Sequence, residues 1–238
     1  MLEITKNLLI AFFAVAVLLP VVRYALRRLS PAQNLEVLSA EEVQYIQKKE
    51  FKLTIAYYFF ACVLAVFSAG MLALISSIIH ASTAHLHVLT PNFRALFASG
   101  LLIGLTLAVI PLRLAQRALL GHDYELYKNY LSHTEGNRSN RIYTILLLVM
   151  LLLSGLVGWY SLRWHVAIDE DQVEITNLLL EQRTYQMQDI QSIHYLGGEG
   201  EYLVTFKDQT HLDMTYLKPV QLEMIALLAA QSGKRVIR

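Results

Sequence analysis

The sequence predicts a bundle of four transmembrane helices followed by a small β-rich domain that ends in a helix. Composition indicates the membrane part, because 55% of the 238 residues are hydrophobic and only 16% are charged, which is too apolar for an ordinary soluble protein. Residues 142–162 carry no formal charge and, at about 1.5 Å per residue, can cross roughly 30 Å of hydrocarbon. After Trp164 the long apolar runs give way to alternating apolar and polar residues, which is typical of strands.

Four apolar stretches are predicted to cross the membrane as helices, at about residues 5–26, 53–80, 95–114 and 142–162. The first is not read as a secretory signal, because arginines such as Arg23 follow its apolar core instead of preceding it. Ser39 and Glu42 have the spacing of a capping box and predict the start of the helix that leads into the second span. Residues 112–131 are amphipathic and are predicted to lie along the membrane interface.

The basic residues of the loops predict an orientation. Loop 23–52 contains six Lys or Arg and loop 113–141 contains five, whereas the opposite side offers only three, Lys6, Arg94 and Arg163. Because cytoplasmic loops carry the excess of Lys and Arg, both basic loops are expected in the cytoplasm. The N-terminus and the C-terminal domain are then extracytoplasmic.

Small residues recur at four-residue spacing in three of the spans, namely Ala61, Ala65 and Ala69, then Gly100 and Gly104, then Ser154 and Gly158. Such stripes let helix backbones approach closely, either within the bundle or in an oligomer. No Asp, Glu, Lys, Arg or His lies deep in any of the four predicted spans. Because such residues mark ion and proton pathways, their absence argues against a pump or a coupled transporter.

The domain from residue 163 to 238 is predicted to contain six or seven antiparallel strands. Val166 and Ile168, followed by Val173 and Ile175 beyond the acidic turn 169–171, predict a hairpin. Further strands are predicted at 180–187, 190–196, 201–206 and 210–216. Pro219 and Gly233 bracket a predicted helix with Leu222, Ile225, Ala226 and Ala229 on one face. The expected fold of this domain is a small barrel or sandwich with a helix at one open end. Residues 1–162 are assigned to the transmembrane domain.

This segment resembles the bacterial pleckstrin-homology-like (PH-like) domains that are attached to membrane helices. The residues that carry the resemblance are Arg183, Asp189, Ile190 and Ile193, then Val204, Thr205, Phe206, Lys207, Asp208, Gln209 and Thr210, and the helix end Ala230, Gln231, Ser232 and Gly233. Gln209 stands where the family usually has a glycine. The match covers about a third of the chain, and it implies a PH-like fold and a membrane-tethered role more than a ligand.

Two groups of residues are weighed as chemical sites. His80, His85 and His87 crowd the loop between the second and third spans, and imidazole is a common Zn or Cu ligand, but no nearby carboxylate or thiol completes the set in the sequence. His122, Asp123 and Glu125 form a second, weaker cluster, and polar surface residues are the expected explanation for both. Cys62 is the only cysteine and lies in an apolar run, which excludes an internal disulfide.

The function expected from these features is a plasma-membrane protein, of the bacterial inner membrane, that presents the PH-like domain as an interaction or scaffolding module. Its expected partners are the bilayer and another membrane protein or a second copy. Nucleic acid and phosphoinositide are not expected, because the turn 169–171 that would meet phosphate is anionic. An accessory subunit of a transporter and a metal-dependent membrane enzyme are the alternatives, although no cofactor is expected.

Overall fold

The structure, a computed structural model, describes residues 2–29, 39–81, 85–135, 139–198 and 200–238. The chain divides into two compact units. The first comprises Met1–Ser68 and Ser99–Leu156, and the second comprises Ala69–Ala98 and Val157–Arg238. Residues 30–38, in the basic loop 23–52, lie outside the described residues.

The helices in chain order are α1 (Leu2–Leu29), α2 (Ala40–Ile79), α3 (Phe93–Leu107), α4 (Val109–Leu120), α5 (Tyr124–Glu135), α6 (Ser139–Arg163) and α7 (Leu222–Ser232). Within the described residues, four helical stretches are long and apolar enough to cross a membrane: Thr5–Val22, Ala40–Ile79, Phe93–Ser132 and Arg141–Arg163. These stretches contain or overlap the four predicted spans.

The capping box predicted for α2 is present. The backbone N–H and the hydroxyl of Ser39 donate to Glu42 Oε2 at 2.9 and 2.8 Å, and the Glu42 N–H donates back to Ser39 Oγ at 3.3 Å. These bonds satisfy N–H groups that have no partner within the helix. They fix the start of α2, a helix of 40 residues that begins well before the predicted span 53–80.

The amphipathic segment 112–131, which is predicted to lie along the membrane interface, is divided between two helices. Its first part belongs to α4, which continues from α3 with a turn only at Ala108, and its last part belongs to α5. Tyr127 and Tyr130 of α5 are buried with Ile46 and Leu53 of α2. Their rings therefore pack against protein, because α2 extends as an amphipathic helix before its apolar span begins.

The strands are β1 (His87–Pro91), β2 (His165–Ile168), β3 (Gln172–Thr176), β4 (Gln182–Gln186), β5 (Ile190–Tyr195), β6 (Tyr202–Phe206), β7 (His211–Asp213), β8 (Leu217–Lys218) and β9 (Val236–Ile237). In the described residues they form a five-stranded sheet of order β4-β3-β2-β1-β8 and a four-stranded sheet of order β7-β6-β5-β9. Neighbours are antiparallel except β5 and β9, which are parallel. The predicted hairpin at the acidic turn is formed by β2 and β3.

The two sheets share one core but do not close into a barrel within the described residues. Buried residues of both sheets meet in this core, together with Met224, Ile225 and Leu228 of α7. Of the four residues predicted on the buried face of α7, Ile225 is buried and Ala229 packs against the core, but Leu222 and Ala226 are exposed. The helix starts at Leu222, three residues after Pro219. Gly233 ends α7 with φ +67°, in the left-handed region that favours glycine.

Candidate functional site

The five-stranded sheet is completed by β1, which comes from the segment between α2 and α3. Leu89 of β1 pairs with Val166 of β2, and Thr90 pairs with Lys218 of β8. The side chain of Leu89 is fully buried in the common core. The sequence analysis did not predict this strand, which joins the loop between two membrane helices to the C-terminal domain.

Asn92 fixes the end of β1 at the point where α3 begins. Its amide group donates to the carbonyl of Thr215 at 2.8 Å, and its backbone N–H donates to the carbonyl of Tyr216 at 2.9 Å. Its side-chain oxygen accepts the N–H of Ala95 at 3.0 Å, as an N-cap residue does for the first turn of a helix. One side chain therefore ties the start of α3 to the strand region before β8.

The acidic turn and the histidine loop meet, contrary to the expectation that no carboxylate lies near the histidines. His85 Nδ1 lies 2.9 Å from Asp169 Oδ2 and is the donor, because an ionised carboxylate only accepts. The N–H of Leu86 donates to the other oxygen of Asp169 at 3.2 Å. The hydrogen bond from His85 holds the pKa of Asp169 below its ordinary value. Asp169 therefore anchors the loop, while Glu170 and Asp171 remain exposed.

His80 stacks on His165, the first residue of β2, with ring centroids 4.3 Å apart. Their Nδ1 atoms each lie 2.9 Å from a backbone carbonyl, that of Ser76 for His80 and that of Arg163 for His165. Because carbonyl oxygens only accept, both Nδ1 atoms carry the proton. The two ring planes are stacked at an angle of 27°. The stack joins the end of α2 to the end of α6.

Two of the three predicted histidines thus take part in separate contacts, and the third, His87, begins β1 opposite Ile168. In the part of the chain that the structure describes, no group of three or more His, Cys, Asp or Glu could hold a metal ion. In the second predicted cluster, Asp123 accepts hydrogen bonds from Lys49 and Tyr45 of α2. Its role is to hold α2 against the turn between α4 and α5.

All seven small residues predicted for helix packing are buried, namely Ala61, Ala65, Ala69, Gly100, Gly104, Ser154 and Gly158. A Cβ atom added to Gly104 would lie 2.3 Å from the backbone nitrogen of Ala65, so α2 and α3 are in backbone contact there. Beside it, the hydroxyls of Thr106 and Ser154 form a buried hydrogen bond of 2.9 Å between α3 and α6.

Several residues behind the PH-like resemblance form one group of contacts between the two sheets. Tyr185 of β4 stacks on Phe206 with centroids 4.0 Å apart, and its hydroxyl donates to Asp208 at 2.9 Å. The backbone N–H of Thr210 donates to Asp208 and is the main cause of a lowered pKa of that carboxyl. Gln209 between them has φ +65°. The group ties β4, at an edge of the first sheet, to the β6–β7 turn of the second.

Comparisons of the chain with protein-family models, with curated proteins and with solved structures found no match.

Proposed function

We propose that the chain is a multi-pass protein of the bacterial plasma membrane that presents a PH-like domain as a protein-interaction or scaffolding module. The four long apolar helices support the membrane location. Two sheets with a shared core and a final helix support the comparison with PH-like domains, although the barrel is open within the described residues.

The pairing of β1 carries this proposal. The domain is connected to three helix ends. Strand β1 leads into α3, and β2 follows α6. His80, which follows the last residue of α2, stacks on His165. The domain therefore receives a core strand from the segment between two long apolar helices, besides its own strands. A domain that is held at several points of the chain suits a scaffold, since pre-organisation lowers the entropic cost of binding.

The same pairing supports an even number of membrane crossings between β1 and β2. Hydrogen-bonded strands must lie on one side of the bilayer, and the chain between them contains α3–α4 and α6, two stretches that are long enough to cross. The excess of Lys and Arg in loops 23–52 and 113–141 favours the cytoplasm for those loops. We therefore place the domain outside the cytoplasm.

Thiol labelling of intact cells tests this orientation. Ser232→Cys in α7 and Ser139→Cys at the start of α6 are made separately in a Cys62→Ala background. A membrane-impermeant maleimide is expected to label Ser232→Cys and to label Ser139→Cys only after the cells are permeabilised. The opposite pattern would place the domain in the cytoplasm.

Photo-crosslinking in native membranes tests the interaction role. A photoreactive amino acid is placed at Leu222 in α7 or at Leu152 in α6, which are 78% and 75% exposed. A partner of the domain should be captured from Leu222, and capture should be lost when Leu89→Ala removes a core side chain. Capture from Leu152 alone would instead favour the accessory-subunit alternative, and capture from neither would contradict the scaffold.

A metal-dependent enzyme remains the third possibility named by the sequence. Elemental analysis of the purified protein tests it directly. We expect no stoichiometric metal, and bound Zn or Cu that disappears when His80, His85 and His87 are replaced by Ala would overturn that expectation.

A further inference from the structure

Consecutive leucines are exposed on the protein surface in the turn between β3 and β4. In this segment, residues 177–181, which we call the leucine turn, Leu178 and Leu179 are 45% and 73% exposed, and Leu180 is partly exposed. Single exposed apolar residues are common on protein surfaces, but runs of three are not expected at a hairpin tip in water. Turns are normally built from Gly, Asn, Asp and Ser.

Leu180 is a further departure from ordinary turn chemistry. Its φ is +62°, in the left-handed region where a branched side chain is disfavoured and glycine or asparagine is usual. Local folding would therefore favour another residue at this position. A leucine that is unfavourable for the turn and contributes little to the core points to a role outside the folded domain.

The leucine turn lies at the end of the sheet from which the membrane helix arrives. Thr176, the last residue of β3, pairs with His165, which is only two residues beyond the end of α6 at Arg163. At about 3.3 Å per residue, the chain from Thr176 to Leu178 extends roughly 7 Å past His165, towards the end of α6. The turn of the β2–β3 hairpin, with Glu170, lies at the opposite end of the sheet.

The start of α3 lies at the same end of the sheet. Leu89 pairs with Val166, so β1 runs antiparallel to β2 and reaches Asn92 beside the start of β2. The backbone N–H of Asn92 donates to Tyr216, whose side chain is 41% exposed. This end of the sheet therefore carries the leucine turn on the side of β4 and an exposed tyrosine, a residue that favours the headgroup layer, on the side of β8.

The backbone of the leucine turn already has internal hydrogen bonds. Asn177 Oδ1 accepts the N–H groups of Leu179 and Glu181 at 2.9 and 3.0 Å, and the Asn177 carbonyl accepts that of Leu180 at 3.0 Å. A segment that leaves water must satisfy its backbone N–H groups internally. Glu181 also accepts from Arg183 at 3.4 Å, so the nearest carboxylate has a cationic partner.

We infer that the leucine turn inserts into the interfacial layer of the bilayer beside the end of α6, as a further attachment of the domain to the lipid surface. The inference rests on the membrane location proposed above. The occupant is lipid because the turn lies beside the end of a membrane-crossing helix, has no exposed unpaired charge at its tip, and has three backbone N–H groups already bonded internally.

Depth-dependent fluorescence quenching tests the inference on the full chain. Leu179→Cys, Glu170→Cys and Leu152→Cys are made separately in a Cys62→Ala background, labelled with an environment-sensitive fluorophore, and reconstituted in phosphatidylcholine vesicles. All three positions are exposed, so the core is not disturbed. Some vesicles carry a spin-labelled lipid, with the quencher either near the headgroup or deep in the acyl chain.

The label at position 179 is expected to emit at shorter wavelength than the label at 170 and to lose most of its emission to the shallow quencher. The label at 170 should be unaffected by either quencher, and the label at 152 should be quenched most by the deep one. If position 179 behaves like position 170 while 152 is quenched, the leucine turn is in water and the inference is wrong. A blue-shifted but unquenched label at 179 would show that protein covers the turn, which also overturns it. An unquenched label at 152 would refute the membrane location itself.

Discussion

Replacing Leu89 by alanine tests whether the α2–α3 segment is part of the domain core. Leu89 is fully buried, and β2 and β8 pair with β1 on both sides, so the site cannot collapse easily. Loss of three carbon atoms removes about 2 kcal/mol at about 0.8 kcal/mol per CH₂. The remaining cavity raises the expected loss of unfolding free energy to about 3–5 kcal/mol. That is a large share of the stability of a small domain, typically about 5–15 kcal/mol.

The same loop supplies a matched control. Leu86 is 55% exposed, so Leu86→Ala should change the unfolding free energy by less than about 0.5 kcal/mol. Trp164 packs against the domain core, and in a Trp159→Phe background it is the only tryptophan, so its emission reports unfolding of this core by urea in detergent. If Leu89→Ala and Leu86→Ala unfold at the same urea concentration, β1 is not part of this core.

Three other substitutions test local contacts. Gly104→Ala should lower the unfolding free energy in detergent by about 1–3 kcal/mol, because the added carbon atom meets the backbone of α2. Gly155→Ala is the control, since a Cβ atom there meets open space. Equal effects of the two substitutions on thermal unfolding would contradict the contact. Gln209→Gly should stabilise the domain against urea by roughly 0.5–1 kcal/mol, since φ +65° favours glycine, and a loss of stability would refute this. The lowered pKa of Asp169 means that its bond with His85 stabilises the fold above about pH 4 and loses this effect as the pH falls through the folded pKa. The stability difference between wild type and Asp169→Asn should therefore narrow on acidification, and a difference that widens below pH 4 would contradict the assignment.

The features that the sequence predicted well are those encoded by neighbouring residues. The β2–β3 hairpin follows from alternation on either side of an acidic turn, and the start of α2 follows from Ser39 and Glu42. The long apolar helices follow from length and composition alone. In each case the residues that specify the element lie within a few turns of one another, so one window of sequence contains the whole signal.

β1 could not be predicted in this way, because the strands that it pairs with, β2 and β8, lie far along the chain. His87–Pro91 has only five residues, too few to show a clear period of two, and it ends in proline, which is rare in a central strand. Pro91 is tolerated because it is the last residue of the strand. The contact between His85 and Asp169 was missed for the same reason, since 84 residues separate the two.

The distance along the chain between β1 and β2 also bears on how the domain assembles. Leu89 and Val166 are 77 residues apart, and closing a flexible loop of that length before any contact forms is entropically unfavourable. β1 must also wait, with both edges unpaired, until β2 and β8 have been synthesised. The membrane helices reduce this difficulty, because α3 and α6 are fixed to the two strands directly at their ends and replace most of a flexible connection with rigid segments. We therefore regard α3 and α6 as the connection that selects the partner of β1, in the way that a tight turn selects the partner strand in the β2–β3 hairpin.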